Sequence, residues 1–250
     1  MFTFIFLGAA GFLAGFIDSV AGGGGLITLP ALLAAGLPPH LALGTNKFQS
    51  MFGTTCALIN FARKGKVIWK VAALGVPFAL VGSTLGAHLV LFLNPSLVAK
   101  IIIGFLPPLV VVVLFSRSIL RHRPPAKMKK LNFWVLTPLA CLLIGAYDGF
   151  LGPGTGSFLI LALVFFTHLN LIGASATAKT FNLASNVGAF AMFVISGAVY
   201  FPYAIIMAIF NIAGNIVGSH FAIKRGDHFI QKILIVSLSL LLAYLIWKYF

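Results

Sequence analysis

Gly15-Phe16-Ile17-Asp18-Ser19-Val20-Ala21-Gly22-Gly23-Gly24-Gly25 decides how this chain folds. It places an acid and a glycine-rich break inside sequence apolar enough to lie in lipid. The pattern returns as Gly145-Ala146-Tyr147-Asp148-Gly149-Phe150-Leu151-Gly152-Pro153-Gly154-Thr155, with the acid again four residues ahead of the break. The chain contains no Glu and only 3 acidic residues, so two of its acids occupy equivalent places. An ionisable group in hydrocarbon costs roughly 3 kcal/mol at a helix centre, so each is expected to have a partner or a role. Two broken helices, each with its own acid, are what a transporter's midplane site looks like in sequence.

Composition points the same way. Hydrophobic residues make up 60% of the 250 and charged residues 8%, with a mean hydropathy of +1.09. Soluble domains carry about 25% charged residues, so the expected class is an all-α integral membrane protein with the lipid bilayer as its surroundings. The net charge of +14 does not imply nucleic acid. Most of the 17 Lys and Arg fall in three clusters: Arg63 to Lys70, Arg117 to Lys130, and Lys224 to Lys232. Each cluster lies between apolar runs, as the positive-inside rule distributes them. No Lys or Arg precedes Lys47, so the first apolar stretch reads as a retained helix and not a secretory signal. Cys56 and Cys141 lie in apolar stretches without metal-ligand spacing and read as small hydrophobes. No cofactor is implied.

The chain reads as two copies of one unit, residues 1–116 and 131–250, joined by a basic linker at 117–130 that carries Pro124-Pro125. Asp18 matches Asp148. Further on, after a small insertion, Lys47 matches Lys179 and Gly82-Ser83-Thr84-Leu85-Gly86-Ala87-His88 matches Gly214-Asn215-Ile216-Val217-Gly218-Ser219-His220. Each copy holds four to five helical segments: about 3–21, 25–37, 41–62, 71–93 and 98–116, then 131–151, 155–168, 171–196, 202–223 and 230–248. The second segment of each is too short for the roughly 20 residues a crossing takes, which predicts broken or re-entrant helices at the Asp–Gly motifs.

Charge also orients the copies. The loop at 63–70 is basic while its counterpart at 195–203 is uncharged, and the bias reverses between 91–100 and 224–232. The swap predicts inverted copies, both termini outside and the linker inside. A parallel duplication is the alternative.

The breaks themselves are candidate binding elements. Glycine lets backbone approach a ligand closely, and a helix N-terminus presents free N–H groups to an anion. Gly23, Gly24 and Gly25 with Gly154, Thr155 and Gly156 form such a pair of ends, although small residues also serve plain helix packing. Lys47 and Lys179 open matching helices far from the basic clusters. They are read as contacts to an anionic substrate, or as ion-pair partners of Asp18 and Asp148. The two roles are compatible, since a Lys can exchange an Asp for a substrate. Asn46, Gln49, Ser50 and Thr54 share one helical face, repeated by Asn182, Ser185 and Asn186 with Thr180 nearby. They read as site lining or helix glue, as do Asn211 and Asn215. His88 and His220 match across the copies but fall at segment ends and need no role. No nucleophile elbow, P-loop, zinc spacing or paired catalytic carboxylates occurs, so an enzyme is not expected.

Asp18-Ser-Val-Ala-Gly-Gly-Gly-Gly-Leu-Ile-Thr-Leu-Pro-Ala-Leu32, followed by Gly36-Leu37-Pro38-Pro39-His40 and Gly44-Thr45-Asn46-Lys47, resembles the sulfite exporter TauE/SafE family. Tyr147 to Ser157 looks like the matching signature of a subgroup described as probable membrane transporters. The resemblance implies a multi-pass carrier of the bacterial inner membrane with about eight spans. It would move sulfur-containing anions such as sulfite, sulfonates or thiosulfate. Many members carry another residue where Asp18 and Asp148 stand, which separates this chain in substrate or coupling. The expected function is therefore a secondary transporter for small sulfur oxyanions working by alternating access. Lys47, Lys179, Asn46, Ser50, Thr180, Asn182, Asn186 and the glycine breaks would bind, and Asp18 and Asp148 would hold the lysines or carry coupling protons. The alternative is a cation transporter or channel with both aspartates as ligands. A homodimer is compatible with the sequence.

Overall fold

The computed structural model describes residues 2–98, 100–101 and 132–249, with side chains from Phe133 to Ile233 in the later part and for Val236. The linker at 117–130, and the segment expected at 98–116 beyond Ile101, lie outside the described residues. The regular elements among the described residues are all helical. They are α1 (Phe2–Ala21), α2 (Gly25–Ala34), α3 (Pro39–Arg63) and α4 (Trp69–Leu91), then α5 (Thr137–Phe150), α6 (Thr155–Thr167), α7 (Leu171–Ile195) and α8 (Phe201–Tyr249). A π-turn at Asn132–Leu136 leads into α5.

Glycine and positive φ place the helix ends. Gly65 (φ 62) and Gly197 (φ 66) close α3 and α7 in the same left-handed cap. In each, the following amide returns to the carbonyl five residues back, Lys66 to Phe61 at 3.0 Å and Ala198 to Phe193 at 2.8 Å. Gly36 after α2 is matched by His168 after α6, and Gly22 after α1 by Gly152 after α5. The expected loop at 224–229 is a sharp kink instead. Gly226 (φ 69, ψ −159) turns the chain within one residue and α8 resumes at once.

Among the described residues, four helices are long and apolar enough to cross a membrane: Phe2–Ala21, Trp69–Leu91, Phe133–Phe150 and Phe201–Ile233. With 25 residues each, α3 and α7 reach about 37 Å at 1.5 Å per residue, which also exceeds the hydrocarbon thickness. Their polar faces keep them out of that apolar set, and those faces are turned inward. Among the four charged side chains buried in the described residues, Lys47 lies on α3 and Lys179 on α7. The short α2 and α6 fold back from the breaks. The Leu29, Ala31 and Leu32 side chains of α2 join Leu7 and Ala10 of α1. Those of Leu159, Ile160 and Leu163 on α6 join Cys141 of α5.

Glycine contacts fix the helix directions. Along α1 and α8, Gly11 meets Met207, Gly15 meets Asn211 and Gly218 meets Phe16, so the two helices run the same way. Along α4 and α5, Gly82 meets Leu142, Gly86 meets Ala146 and Gly149 meets Ala87, again in rising order. The bare glycines let backbones touch, the usual means of association where no hydrophobic drive exists between helices. In the centre α3 and α7 run oppositely, with Gly44 against Ala198 and the Phe48 and Phe190 rings edge to face at 5.5 Å. Asn60 bonds Ser219 at 2.8 Å and Gly53 abuts Asn211, which sets α3 alongside α8. Gly75 against Phe181 and Gly188 against Leu80 set α4 alongside α7. Thus α1, α3 and α8 run one way, and α4, α5 and α7 the other.

The basic loops gather at one end. Val20, Phe61, Val67, Ala72, Ala176, Ala222 and Ile230 form a cluster there, flanked in sequence by Arg63 to Lys70 and by Lys224 and Arg225. At the other end Leu7, Leu32, Leu43, Val90 and Phe193 pack together.

Candidate functional site

The two glycine breaks meet between these ends and pass each other in opposite directions. Gly22 lies directly on Gly156, and Gly25 lies beside Pro153. The Ser157 amide donates to the Gly22 carbonyl at 3.2 Å, and its hydroxyl to the Ala21 carbonyl at 2.7 Å. Tyr147 braces the second break, its hydroxyl donating to the Pro153 carbonyl at 2.6 Å. A Cβ on Gly156 would come within 2.7 Å of the Gly22 oxygen, so the crossing tolerates only glycine there.

Asp18 stands in the last turn of α1 and Asp148 in the last turn of α5. A carboxylate there faces the negative end of its own helix, and it is buried as well. Each is met by a lysine from the other part of the chain. Lys179 of α7 lies 2.9 Å from Asp18 Oδ2, and Lys47 of α3 lies 2.8 Å from Asp148 Oδ1. Both lysines are only 1% exposed. A Lys usually snorkels to water, so such enclosure is sustained only by charge pairing and hydrogen bonds. Lys179 also donates to the Asp18 carbonyl, placing its ammonium on the carboxylate and the helix end together. Lys47 Nζ sits over the second break, where a Cβ on Gly152 would stand 2.9 Å away.

Neutral polar groups surround the pairs. Ser185 donates to Asp148 Oδ2 at 2.6 Å, and Thr54 reaches Asp18 Oδ2 at 3.5 Å. Thr28 of α2 donates to Asn46 Oδ1, and Gln49 Nε2 donates to the same oxygen and to Ser50 Oγ, both at 2.9 Å. Gln49 Oε1 is buried without a donor among the described residues. On α7, Asn186 reaches Asn182 at 3.4 Å, and Thr180 bonds the Thr177 carbonyl at 2.7 Å.

Expected residues thus fall into two groups. Lys47, Lys179, Asp18 and Asp148 pair off, and Asn46 and Ser50 share the Gln49 amide. At the breaks the carbonyls of Gly22, Gly23, Gly24 and Gly152 are committed, and of the expected donors only the Thr155 amide is engaged among the described residues. Leu26 bonds Gly23, Ile27 bonds Gly24, Thr155 bonds Gly152 and Ser157 bonds Gly22. Asn211 ties α8 to α1 by donating to the Gly11 carbonyl at 3.2 Å, and Asn215 bonds Asn211 within α8. His88 and His220 are exposed. Thr28 and Ser157 were not anticipated. Ser157 had a signal in directly following the second break, whereas Thr28 lies in an apolar helix with nothing to mark its face.

Apolar helices of spanning length around two buried ion pairs, each tying one part of the chain to the other, define a multi-pass membrane protein of the transporter class. More narrowly, the chain belongs to the Sulfite exporter TauE/SafE family, whose model matches residues 7–245. It is 41% identical over 239 residues to "Probable membrane transporter protein ORF9" of Sinorhizobium sp, covering 94% of this chain and 89% of that one. It is 34% identical to "Probable membrane transporter protein" of Haemophilus influenzae, covering 95% and 92% of the two chains. It is equally 34% identical to "Probable membrane transporter protein YfcA" of Escherichia coli strain K12, covering 94% and 86%. No solved structure matches the chain. The protein is accordingly a bacterial membrane transporter and not an enzyme.

Proposed function

We propose that this transporter is a secondary carrier of small sulfur-containing oxyanions such as sulfite or organosulfonates, and that substrate binds at Lys47 and Lys179. The observation that carries the reading is the burial of two ammonium groups at the meeting of the two breaks. Each cation is held by a single carboxylate that an oxyanion can replace in kind, because both present planar or tetrahedral oxygens to the same donors. Asn46, Ser50, Thr180, Asn182 and Asn186 supply neutral donors. Amides of Gly23 to Gly25, Gly154 and Gly156 supply backbone donors at the breaks, beside Thr155. The pairing also argues against a cation pathway, since neither carboxylate has uncompensated charge to offer.

The two parts, 1–116 and 131–250, act as inverted copies joined by a cytoplasmic linker at 117–130. Opposite running of α1 and α5, of α3 and α7, and of α4 and α8 supports this, as do the recurring left-handed residues. Gathering of the basic loops at one end supports a cytoplasmic position for that end in the inner membrane. Alternating access then follows from one copy rocking on the other, with the cross-linking ion pairs as the contacts exchanged.

Counterflow in proteoliposomes tests this. A panel of labelled sulfite, thiosulfate, isethionate, taurine, sulfate, acetate and divalent cations is offered to the protein and to a Lys47→Met/Lys179→Met variant. Saturable exchange of sulfur oxyanions, lost in the variant, is expected. Exchange of cations alone, or exchange indifferent to the lysines, contradicts the proposal.

A further inference from the structure

We infer that the site carries a monovalent anion, a sulfonate or hydrogen sulfite, together with one proton, and that Asp18 rather than Asp148 holds that proton. This deepens the anion-carrier reading and rests on it.

The argument begins with charge. Lys47, Lys179, Asp18 and Asp148 are the only charged side chains buried among the described residues, and their charges cancel. A monoanion entering this neutral group leaves one uncompensated charge in a low-dielectric interior, which is strongly disfavoured. Protonating the carboxylate that the anion displaces removes the excess. The empty and the loaded site are then both neutral, so either can cross between the two membrane faces.

Geometry selects the aspartate. Both Asp148 oxygens are engaged, Oδ1 by Lys47 at 2.8 Å and Oδ2 by Ser185 at 2.6 Å, and its side chain is 3% exposed. Asp18 receives Lys179 at 2.9 Å and Thr54 at 3.5 Å on the same oxygen, Oδ2. Among the described residues no donor reaches its Oδ1, and its side chain is 12% exposed. That open oxygen is where water can deliver a proton. The partners differ in the same sense. Lys179 keeps the Asp18 carbonyl as an acceptor when the carboxylate leaves, whereas Lys47 has Asp148 alone among the described residues.

No other group competes for the proton. Lys47 of α3 is the next cation, within electrostatic reach of Asp18. Helix α5 carries Asp148, the Cys141 thiol and Tyr147, whose hydroxyl donates to the Pro153 carbonyl. Neither α2 nor α6 carries a titratable side chain, and α8 presents the neutral Asn211 and Asn215 to α1 while its Asp227 accepts from the Ile172 amide. In the step itself Oδ1 takes up a proton from the aqueous phase, relayed through water, and the substrate oxygen replaces Oδ2 on Lys179 Nζ. Lys179 keeps all of its protons.

The test uses purified protein in liposomes loaded with a pH-sensitive dye, with labelled isethionate as the permanent monoanion. Potassium gradients with valinomycin set the membrane potential. The wild type is expected to move protons and isethionate one to one and to ignore the potential. Asp18→Asn makes the empty site a net cation. Its proton-to-anion ratio should fall to near zero, and its slowed uptake should follow an inside-positive potential. Asp148→Asn gives the empty site the same net charge, so the carboxyl is assigned with charge-keeping variants. The protonated-carboxyl infrared band that appears with isethionate should shift in Asp18→Glu and stay in place in Asp148→Glu. A shift in Asp148→Glu instead overturns the assignment. Because the ratio is counted per turnover, a merely destabilised variant does not move it. Retention of one-to-one coupling by Asp18→Asn, or potential-driven accumulation by the wild type, overturns the inference while leaving the anion site standing. Absence of isethionate and hydrogen sulfite counterflow in the wild type removes the anion site itself, and the inference with it.

Discussion

Consider removal of the Lys47–Asp148 pair one side at a time. Lys47→Met keeps the length of the side chain but deletes its charge, leaving Asp148 ionised and buried with only the Ser185 hydroxyl on it. Breaking a buried pair in this way costs about 3–5 kcal/mol. At roughly 2–4 °C per kcal/mol for a chain of this size, melting should fall by on the order of 10 °C. Asp148→Leu alone strands the ammonium and should cost about as much. The double variant, Lys47→Met with Asp148→Leu, removes both charges and leaves no orphan, because Ser185 can turn to the Asn182 carbonyl at 3.0 Å. It should melt within a few degrees of the wild type or above it, giving a coupling energy of about 3 kcal/mol or more. Thermal unfolding of the four proteins in one detergent measures the cycle. Singles that cost less than about 1 kcal/mol each, with no recovery in the double, would refute the reasoning. They would mean that the lysine reaches water and that the pair is not enclosed.

Other expectations follow from contacts at particular residues. Gly156→Ala drives a Cβ into the Gly22 backbone and should cost about 1–3 kcal/mol with loss of transport, whereas Gly36→Ala meets no neighbour and should cost only the about 1–2 kcal/mol of its left-handed backbone and leave transport intact. Melting curves and counterflow on the same preparations separate them. Gly53→Ala pushes into the Asn211 and Asn215 amides and should destabilise by about 1–3 kcal/mol, read as a lower melting temperature. In a background lacking Cys56 and Cys141, Lys64→Cys should react with an impermeant maleimide only after permeabilisation, and Ser196→Cys in intact cells. Both positions are exposed, at opposite ends of the bundle. Equal labelling of the two in intact cells would contradict the orientation.

Much of the site was legible because ionisable residues are so scarce in this chain. Asp18, Asp148, Lys47 and Lys179 stand out against apolar surroundings, and the glycine breaks punctuate the only short segments. The partner of each acid was not legible. Pairing within a half would satisfy charge as well as pairing across halves, and only the crossing of the breaks selects the second. Nor did spacing reveal that the Ser157 amide is taken by Gly22, since that bond joins residues far apart in the chain. Periodicity placed α3 and α7 within two residues of their ends. The break at Gly226 looked like a loop because its basic neighbours mimic one, while a single left-handed glycine is enough to turn the helix. The short helices differ in length, 10 residues in α2 and 13 in α6, in the stretch where the expected offset changes.

Direct binding tests the central claim most closely. Equilibrium binding of labelled isethionate and sulfite is measured on the wild type and on two charge-neutral variants, Lys47→Met/Asp148→Leu and Lys179→Met/Asp18→Leu. Because each variant loses a cation and an anion together, both should stay folded with melting temperatures near that of the wild type. The account predicts saturable binding by the wild type and none by either variant. Undiminished affinity in both folded variants would contradict it and place the substrate elsewhere in the bundle.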